Sequence, residues 1–517
     1  RANMLYTSTR DNSVKVSASH AIAQGISEEG GLFVPCEFPQ FSIDKIKDMA
    51  SMSYIERAKT VLREFLDDFS EEELDYCVSG AYAAGKFSSD AVAPTVNVCG
   101  NENVLELWHG PTCAFKDMAL QLLPYLMTVS AKKTADGKTI VILVATSGDT
   151  GKAALEGFKD VANTKILVFY PENGVSPMQK LQMVTQEGSN VAVCAVKGNF
   201  DDAQSAVKKI FTDDAIKNKL AEKNMMFSSA NSINWGRLVP QIVYYFSAYC
   251  DLMNSGSISA GDEINVVVPT GNFGNILACY YAKKMGLPVK KLVCASNSNN
   301  VLTDFLNTGT YDKNREFYTT TSPSMDILIS SNLERLLYHM SGNDDKLVND
   351  LMSKLSADGV YTVSDELISS IKECFSAGFA GEDDVNDTIK SYFDDYHYLC
   401  DTHTAVALKV YADYVKNSGD DIPTVIDSTA SPYKFSKSVL SAVTGGNLPD
   451  ADEFEMVREL HAKTGADVPA PLASLRDKEV RFNNVCSKED MGEMVFGLLG
   501  ILSLIHISEP TRHSLIS

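Results

Sequence analysis

Lysine is disfavoured at the positive end of a helix, and Lys116 occupies such a position. Around His109-Gly110-Pro111-Thr112-Cys113-Ala114-Phe115-Lys116-Asp117, Leu105 and Leu107 alternate as in a short strand and Gly110-Pro111 turns the chain. Apolar positions then recur at helical spacing from Met118 to Lys132. Unpaired N–H groups in a first turn carry partial positive charge, which disfavours an ammonium group there. The same field and partial burial favour the neutral amine, so Lys116 is a candidate for covalent or proton-transfer chemistry. Phe-Lys-Asp alone would equally suit a solvated loop.

Three glycine- or hydroxyl-rich turns follow apolar runs, where ligands of α/β sheets bind. Thr146-Ser147-Gly148-Asp149-Thr150-Gly151-Lys152 is close to a P-loop but lacks its first glycine and, at Ala153, the hydroxyl that would hold magnesium. It can present hydroxyls and backbone donors to a carboxylate or a ring. Thr270-Gly271-Asn272-Phe273-Gly274-Asn275 lies between Val266-Val267-Val268-Pro269 and a helix, a setting in which backbone N–H groups can hold a phosphate without lysine. Asp427-Ser428-Thr429-Ala430-Ser431-Pro432 closes the last strand with hydroxyls, which would also serve as helix caps.

Ser229-Ala230-Asn231-Ser232-Ile233-Asn234-Trp235-Gly236-Arg237 gathers donors and a guanidinium at a helix start, a design for a fixed anion or a capped helix with a surface arginine. His397, Cys400, Asp401 and His403 are the one candidate metal cluster. Their spacing does not put both histidines on one helical face, so no metal is expected.

These groups need a large scaffold, and 517 residues with 44% hydrophobic content allow two or three domains. A net charge of −21 argues against nucleic acid and anionic membrane, so an anionic ligand must be held by local cations and backbone N–H groups. The 11 cysteines are odd in number and lack a Cys-x-x-Cys pair, which suits free thiols in a reducing compartment. With no secretory signal visible, a cytoplasmic location is expected. Met494 to Ile507 is apolar but too short and interrupted to cross a bilayer. The last residues, from Leu502, read as a non-native tail.

Ser42 to Gly85 reads as mostly helical, with a capping box from Ser70 and Glu73. Short strands are expected at Tyr6 to Arg10 and Gly30 to Pro35. Apolar runs then alternate with helices: Thr139 to Ala145, Lys165 to Tyr170, Asn190 to Val196, Met225 to Ser228, Ile264 to Val268, Leu292 to Ala295 and Thr424 to Ile426. Continuous apolar strands separated by helices predict parallel sheets covered on both faces. Thr310 to Ser418 reads as largely helical and more polar.

In this linear order the motifs resemble the threonine synthase family in its longer form, over roughly Leu5 to Gly500. They are the Lys116 segment, Ser-Gly-Asp-Thr-Gly, Asn-Ser-Ile-Asn-Trp-Gly-Arg, Gly-Asn-Phe-Gly-Asn, Asp-Thr-His-Thr-Ala-Val-Ala and Ser-Thr-Ala-Ser-Pro. The resemblance implies an α/β, tryptophan-synthase-β-like fold (fold-type II) with two parallel-sheet domains and a largely helical N-terminal segment. Residues 1–100 would form that segment, 101–261 a first α/β domain, 262–500 a second with a helical insertion, and 501–517 the tail.

It further implies pyridoxal 5'-phosphate as cofactor and Lys116 as its Schiff-base lysine. Gly271, Asn272, Phe273, Gly274 and Asn275 would surround the cofactor phosphate, and Thr429 would face the pyridine nitrogen. Ser147, Asp149, Thr150, Ser232, Asn234 and Arg237 would bind substrate. The implied reaction converts O-phosphohomoserine and water to L-threonine and phosphate by γ-elimination and β-addition of water. A phospholyase or a serine/threonine dehydratase-like enzyme on the same fold is the alternative, and a phosphate-ligand binding protein without turnover is the reading outside enzymes. The resemblance is not to the form that responds to S-adenosylmethionine, and oligomeric state is not legible.

Overall fold

The computed structural model describes residues 3–134 and 136–501; the tail expected beyond Leu502 lies outside them. The chain divides into two compact units, Arg1–Leu126 with Asn231–Ala473, and Met127–Ala230 with Ser474–Ser517.

The first unit is built on a six-stranded sheet. Its order is Phe375–Phe379, Val289–Ser296, Ile264–Pro269, Thr424–Ser428, Glu102–Glu106 and Thr95–Cys99. All neighbours run parallel except Thr95–Cys99, an antiparallel edge. Ile264–Pro269 and Thr424–Ser428 are buried along their whole length, as unbroken apolar runs in a doubly covered sheet must be. Helix Trp235–Asn254 is buried on nearly every face, and its 20 residues make a core rod about 30 Å long. Tyr6–Ser8 pairs with Asp11–Val16 and with Phe33–Pro35 in a small antiparallel sheet. The Ser70–Glu73 capping box starts helix Glu71–Ala81 with both reciprocal hydrogen bonds.

The second unit holds a five-stranded parallel sheet in the order Asn484–Ser487, Val191–Lys197, Thr164–Pro171, Thr139–Ala145 and Met225–Ser228. Cys486, Met491, Val495 and Phe496 join Leu143, Phe169 and Val207 in its core. Much of the apolar run read from Met494 thus belongs to helix Met491–Leu499 and its packing. Among the described residues no helix is long and apolar enough to cross a membrane.

This partition differs from a break near residue 261 between contiguous halves. Glu102–Glu106 lies beside Thr424–Ser428 rather than with the strands that follow it, and Asn484–Ser487 lies beside Val191–Lys197. In each case burial beside a distant apolar strand outweighs proximity in sequence. Two local readings also change. The helix from Met118 is split into Lys116–Leu120 and Leu123–Thr134, with Pro124 in the first turn of the second, where its missing N–H is tolerated. Within the helical stretch from Thr310, Phe375–Phe379 adds an edge strand to the six-stranded sheet, and Thr310–Asp312 pairs with Val360–Thr362.

Candidate active site

Three adjacent parallel strands of the first unit end at one edge, and each delivers a segment singled out in the sequence. Glu102–Glu106 leads to Lys116, Thr424–Ser428 to Thr429, and Ile264–Pro269 to the Gly271 turn. The carboxyl edge of such a sheet is where ligands bind.

The Lys116 segment is stitched to the Thr429 turn. The Phe115 N–H donates to the Thr429 carbonyl at 2.8 Å, the Ser431 N–H to the Cys113 carbonyl at 3.0 Å, and Ala114 and Ala430 form an antiparallel bridge. Lys116 is the half-buried first residue of its helix. The preceding turn is held by Asp117, fully buried, which accepts from the Thr112 N–H at 2.9 Å and the Thr112 hydroxyl at 2.6 Å. Gly110 is required there, because a Cβ would lie 2.6 Å from Asp117 Oδ2.

Thr429 is buried, directly beyond the end of strand Thr424–Ser428. Two residues earlier, Asp427 is fully buried; its Oδ2 accepts the Tyr245 hydroxyl at 2.6 Å and its Oδ1 has no partner in the structure. Burial pushes the Asp427 carboxyl up to about 8, against a small opposing effect of the Tyr245 bond. Between pH 4 and 8 the folded chain therefore keeps a proton that the unfolded chain has lost, so this group lowers stability as pH rises through that window. Asp427→Asn is expected to narrow the fall in Tm between pH 5 and pH 9, measured by thermal melts at several pH values.

In the Gly271 turn, Phe273 is a non-glycine residue in the left-handed region (φ 70°) that caps helix Gly274–Lys284. Its ring is fully buried and stacks on Phe375, so it contributes backbone rather than side chain to any ligand. The Asn275 amide is likewise turned inward, donating to the Pro269 carbonyl at 3.1 Å. Among the described residues, the N–H groups of Gly271, Asn272, Phe273 and Gly274 meet no protein acceptor. A Cβ on Gly271 would sit 2.5 Å from the Ser324 carbonyl oxygen. That backbone cannot yield cheaply, so Gly271→Ala is expected to cost about 1–3 kcal/mol of stability, checked by thermal melting.

Ser232, Asn234 and Arg237 also lie in the first unit, at the start of helix Trp235–Asn254. Asn234 is 1% exposed; its Oδ1 caps the Gly236 N–H at 2.8 Å and its Nδ2 donates to the Ile22 carbonyl at 3.1 Å. Both ends of its amide are thus engaged in building the turn. Arg237, which could have been a surface arginine, is 6% exposed, and burial pushes its guanidinium down to about 10, still cationic near neutral pH. A buried cation in the first turn of a helix is stabilised by an anion placed beside it.

Ser147, Asp149 and Thr150 belong to the second unit. Gly148 (φ 147°) caps helix Asp149–Phe158, and the Thr146 hydroxyl accepts from the N–H groups of Gly148 and Gly151. Ser147 and Thr150 are exposed and Asp149 half-buried. The P-loop-like Lys152 is directed elsewhere, onto Gln186 at 2.6 Å and Glu156 at 3.1 Å.

His403 pairs with Asp401 at 2.8 Å and accepts from the Ser324 N–H at 3.2 Å. Among the described residues no group of three or more His, Cys, Asp or Glu is placed to hold a metal ion.

Sequence reasoning passed over Asn332 and Arg335. Both are fully buried, and the Arg335 guanidinium donates to Asn332 Oδ1 at 2.6 Å and to the Phe33 carbonyl. An Asn-x-x-Arg pair in a polar helical stretch looks like solvated surface, and no local signal would have found it.

The two parallel sheets and this strand edge define a pyridoxal-phosphate-dependent enzyme of fold-type II, and residues 104–426 match the family "Pyridoxal-phosphate dependent enzyme". Residues 5–82 match "Threonine synthase N terminus" and residues 404–494 match "Threonine synthase, C-terminal". The threonine synthase of Pseudomonas aeruginosa is 38% identical over 444 residues, covering 86% of this chain and 91% of that protein. A PLP-bound threonine synthase structure from Brucella melitensis superimposes with a TM-score of 0.86 at 38% identity, covering 96% of this chain and 99% of that one. The chain belongs to the threonine synthase family. It is also 42% identical over 447 residues to threonine synthase-like 1 of Pongo abelii, covering 84% of this chain but only 59% of that longer relative.

Pyridoxal phosphate is the cofactor of this family fold, and the residues present suit it. The Gly271 turn supplies unsatisfied N–H groups and a space that a Cβ would fill, and Lys116 supplies an amine on the segment bonded to the buried Thr429 turn.

Proposed function

We propose that the protein is a threonine synthase in activity, converting O-phosphohomoserine and water to L-threonine and phosphate. The carrying observation is the convergence of Lys116, Thr429 and the Gly271 turn at the ends of three neighbouring strands. Pyridoxal phosphate, when bound, supplies the electron sink for carbanions of an amino-acid substrate.

In this reading Lys116 would hold the cofactor covalently, and its amine is the base that moves protons at Cα and Cβ of the substrate. The backbone from Gly271 to Asn275 holds the cofactor phosphate. The Thr429 hydroxyl meets the pyridine nitrogen; being neutral, it holds no full positive charge there and keeps the sink moderate. Arg237 and Ser232 bind the substrate phosphate, restrain it while it is attached and stabilise it as it leaves Cγ. The buried guanidinium supports this reading, because a chain of charge −21 needs a local cation to hold an anion.

Purified protein incubated with pyridoxal phosphate and O-phosphohomoserine tests the proposal by quantifying threonine against 2-oxobutyrate. Threonine in excess is the expected result. Excess 2-oxobutyrate with ammonia would replace it by a phospholyase, and neither product would overturn it.

A further inference from the structure

Asn332 stands at the N-cap position of helix Leu333–Met340, yet its side chain does not cap that helix. Its groups go elsewhere. The backbone N–H donates to the Asn272 carbonyl at 2.9 Å, Nδ2 donates to the Ser232 carbonyl at 3.3 Å, and Oδ1 accepts from Arg335 at 2.6 Å. One residue with no exposed surface thus touches both the Gly271–Asn275 loop and the turn that leads into Arg237. Arg335, bound in turn to the Phe33 carbonyl, prevents the amide from rotating: with Oδ1 committed to a guanidinium, only Nδ2 faces Ser232.

We infer that Asn332 is a positioning residue that sets the separation between the cofactor-phosphate loop and the substrate-phosphate turn. This rests on the threonine synthase activity proposed for the site and adds a determinant of substrate fit to it. A substrate joined at one end to the cofactor and held at the other by Arg237 must span a fixed distance. A small displacement of one turn is therefore felt as weaker binding of the phosphorylated substrate.

Asn332→Asp is the informative variant. It is nearly isosteric, leaves the backbone bond to Asn272 and the Arg335 contact in place, and replaces only the donor to Ser232 by an acceptor. KM for O-phosphohomoserine is expected to rise about tenfold, with kcat changed by less than about twofold, from the loss of one buried hydrogen bond. Pyridoxal phosphate affinity of the apo-protein, read from visible absorbance on titration, is expected to change less than about twofold, since the cofactor loop keeps its own bond. Should the aspartate variant fail to fold, Asn332→Ser removes the same donor without adding charge, together with the Arg335 acceptor, and a raised KM with cofactor affinity changed less than about twofold is again expected. An unchanged KM, or cofactor affinity and KM worsening in step, overturns the inference. Failure of the underlying activity is separable: the parent protein would then form no threonine from O-phosphohomoserine, before any Asn332 variant is compared with it.

Discussion

Lys116→Ala is expected to abolish measurable turnover, a loss of at least about 10³-fold, while the protein folds as its parent does. A positioned proton-transfer group contributes roughly 10²–10⁴-fold, and in the proposed reaction the same amine also makes the covalent attachment, so its removal is felt at more than one step. The fold should survive, because the structural burden of the segment rests on neighbours. Asp117 closes the turn on Thr112, and the backbone of residues 113–115 bonds to residues 429–431. Three measurements check this together: the product assay, thermal melting, and borohydride reduction followed by peptide mass mapping. The parent should carry cofactor mass on the peptide containing Lys116, and the variant should not. Full activity in Lys116→Ala would exclude this amine from both covalent attachment and proton transfer.

Arg237→Gln is expected to lower kcat/KM for O-phosphohomoserine by about 10²–10³-fold, mainly through KM, with the visible absorbance of bound cofactor unchanged. Removing one partner of a buried, hydrogen-bonded charge pair costs about 2–5 kcal/mol, which sets that range. The guanidinium stands buried at a helix start. The loss in substrate binding should exceed any change in the melting of the free protein. Steady-state kinetics beside a melt in the absence of substrate tests both halves. A Tm drop with unchanged KM would make Arg237 a structural residue.

Much of the site was legible from local pattern. The capping box at Ser70, the strand runs from Thr139, Met225 and Ile264, and the placement of Lys116 on the first turn of a helix follow from periodicity and turn chemistry within a few residues. Such features are decided by neighbours in sequence. The ordered motifs likewise implied the family and its cofactor, because each motif is a short contiguous stretch.

Burial and partnership were not legible, since they depend on chain that arrives from far away. Arg237 reads as readily for a surface arginine as for an anion site, and only packing buries it. Asn234, which the resemblance groups with substrate ligands, is drawn into a cap and a bond to Ile22. Pairing of Glu102–Glu106 with Thr424–Ser428 brings Lys116 to Thr429 across most of the chain, and Asn332 reaches two loops from a helix start that looks solvated. Composition and local periodicity determine which segments become strands and which turns expose donors. Which of them share an edge is settled by the burial of distant apolar runs against each other, and that contact exists only in the folded chain.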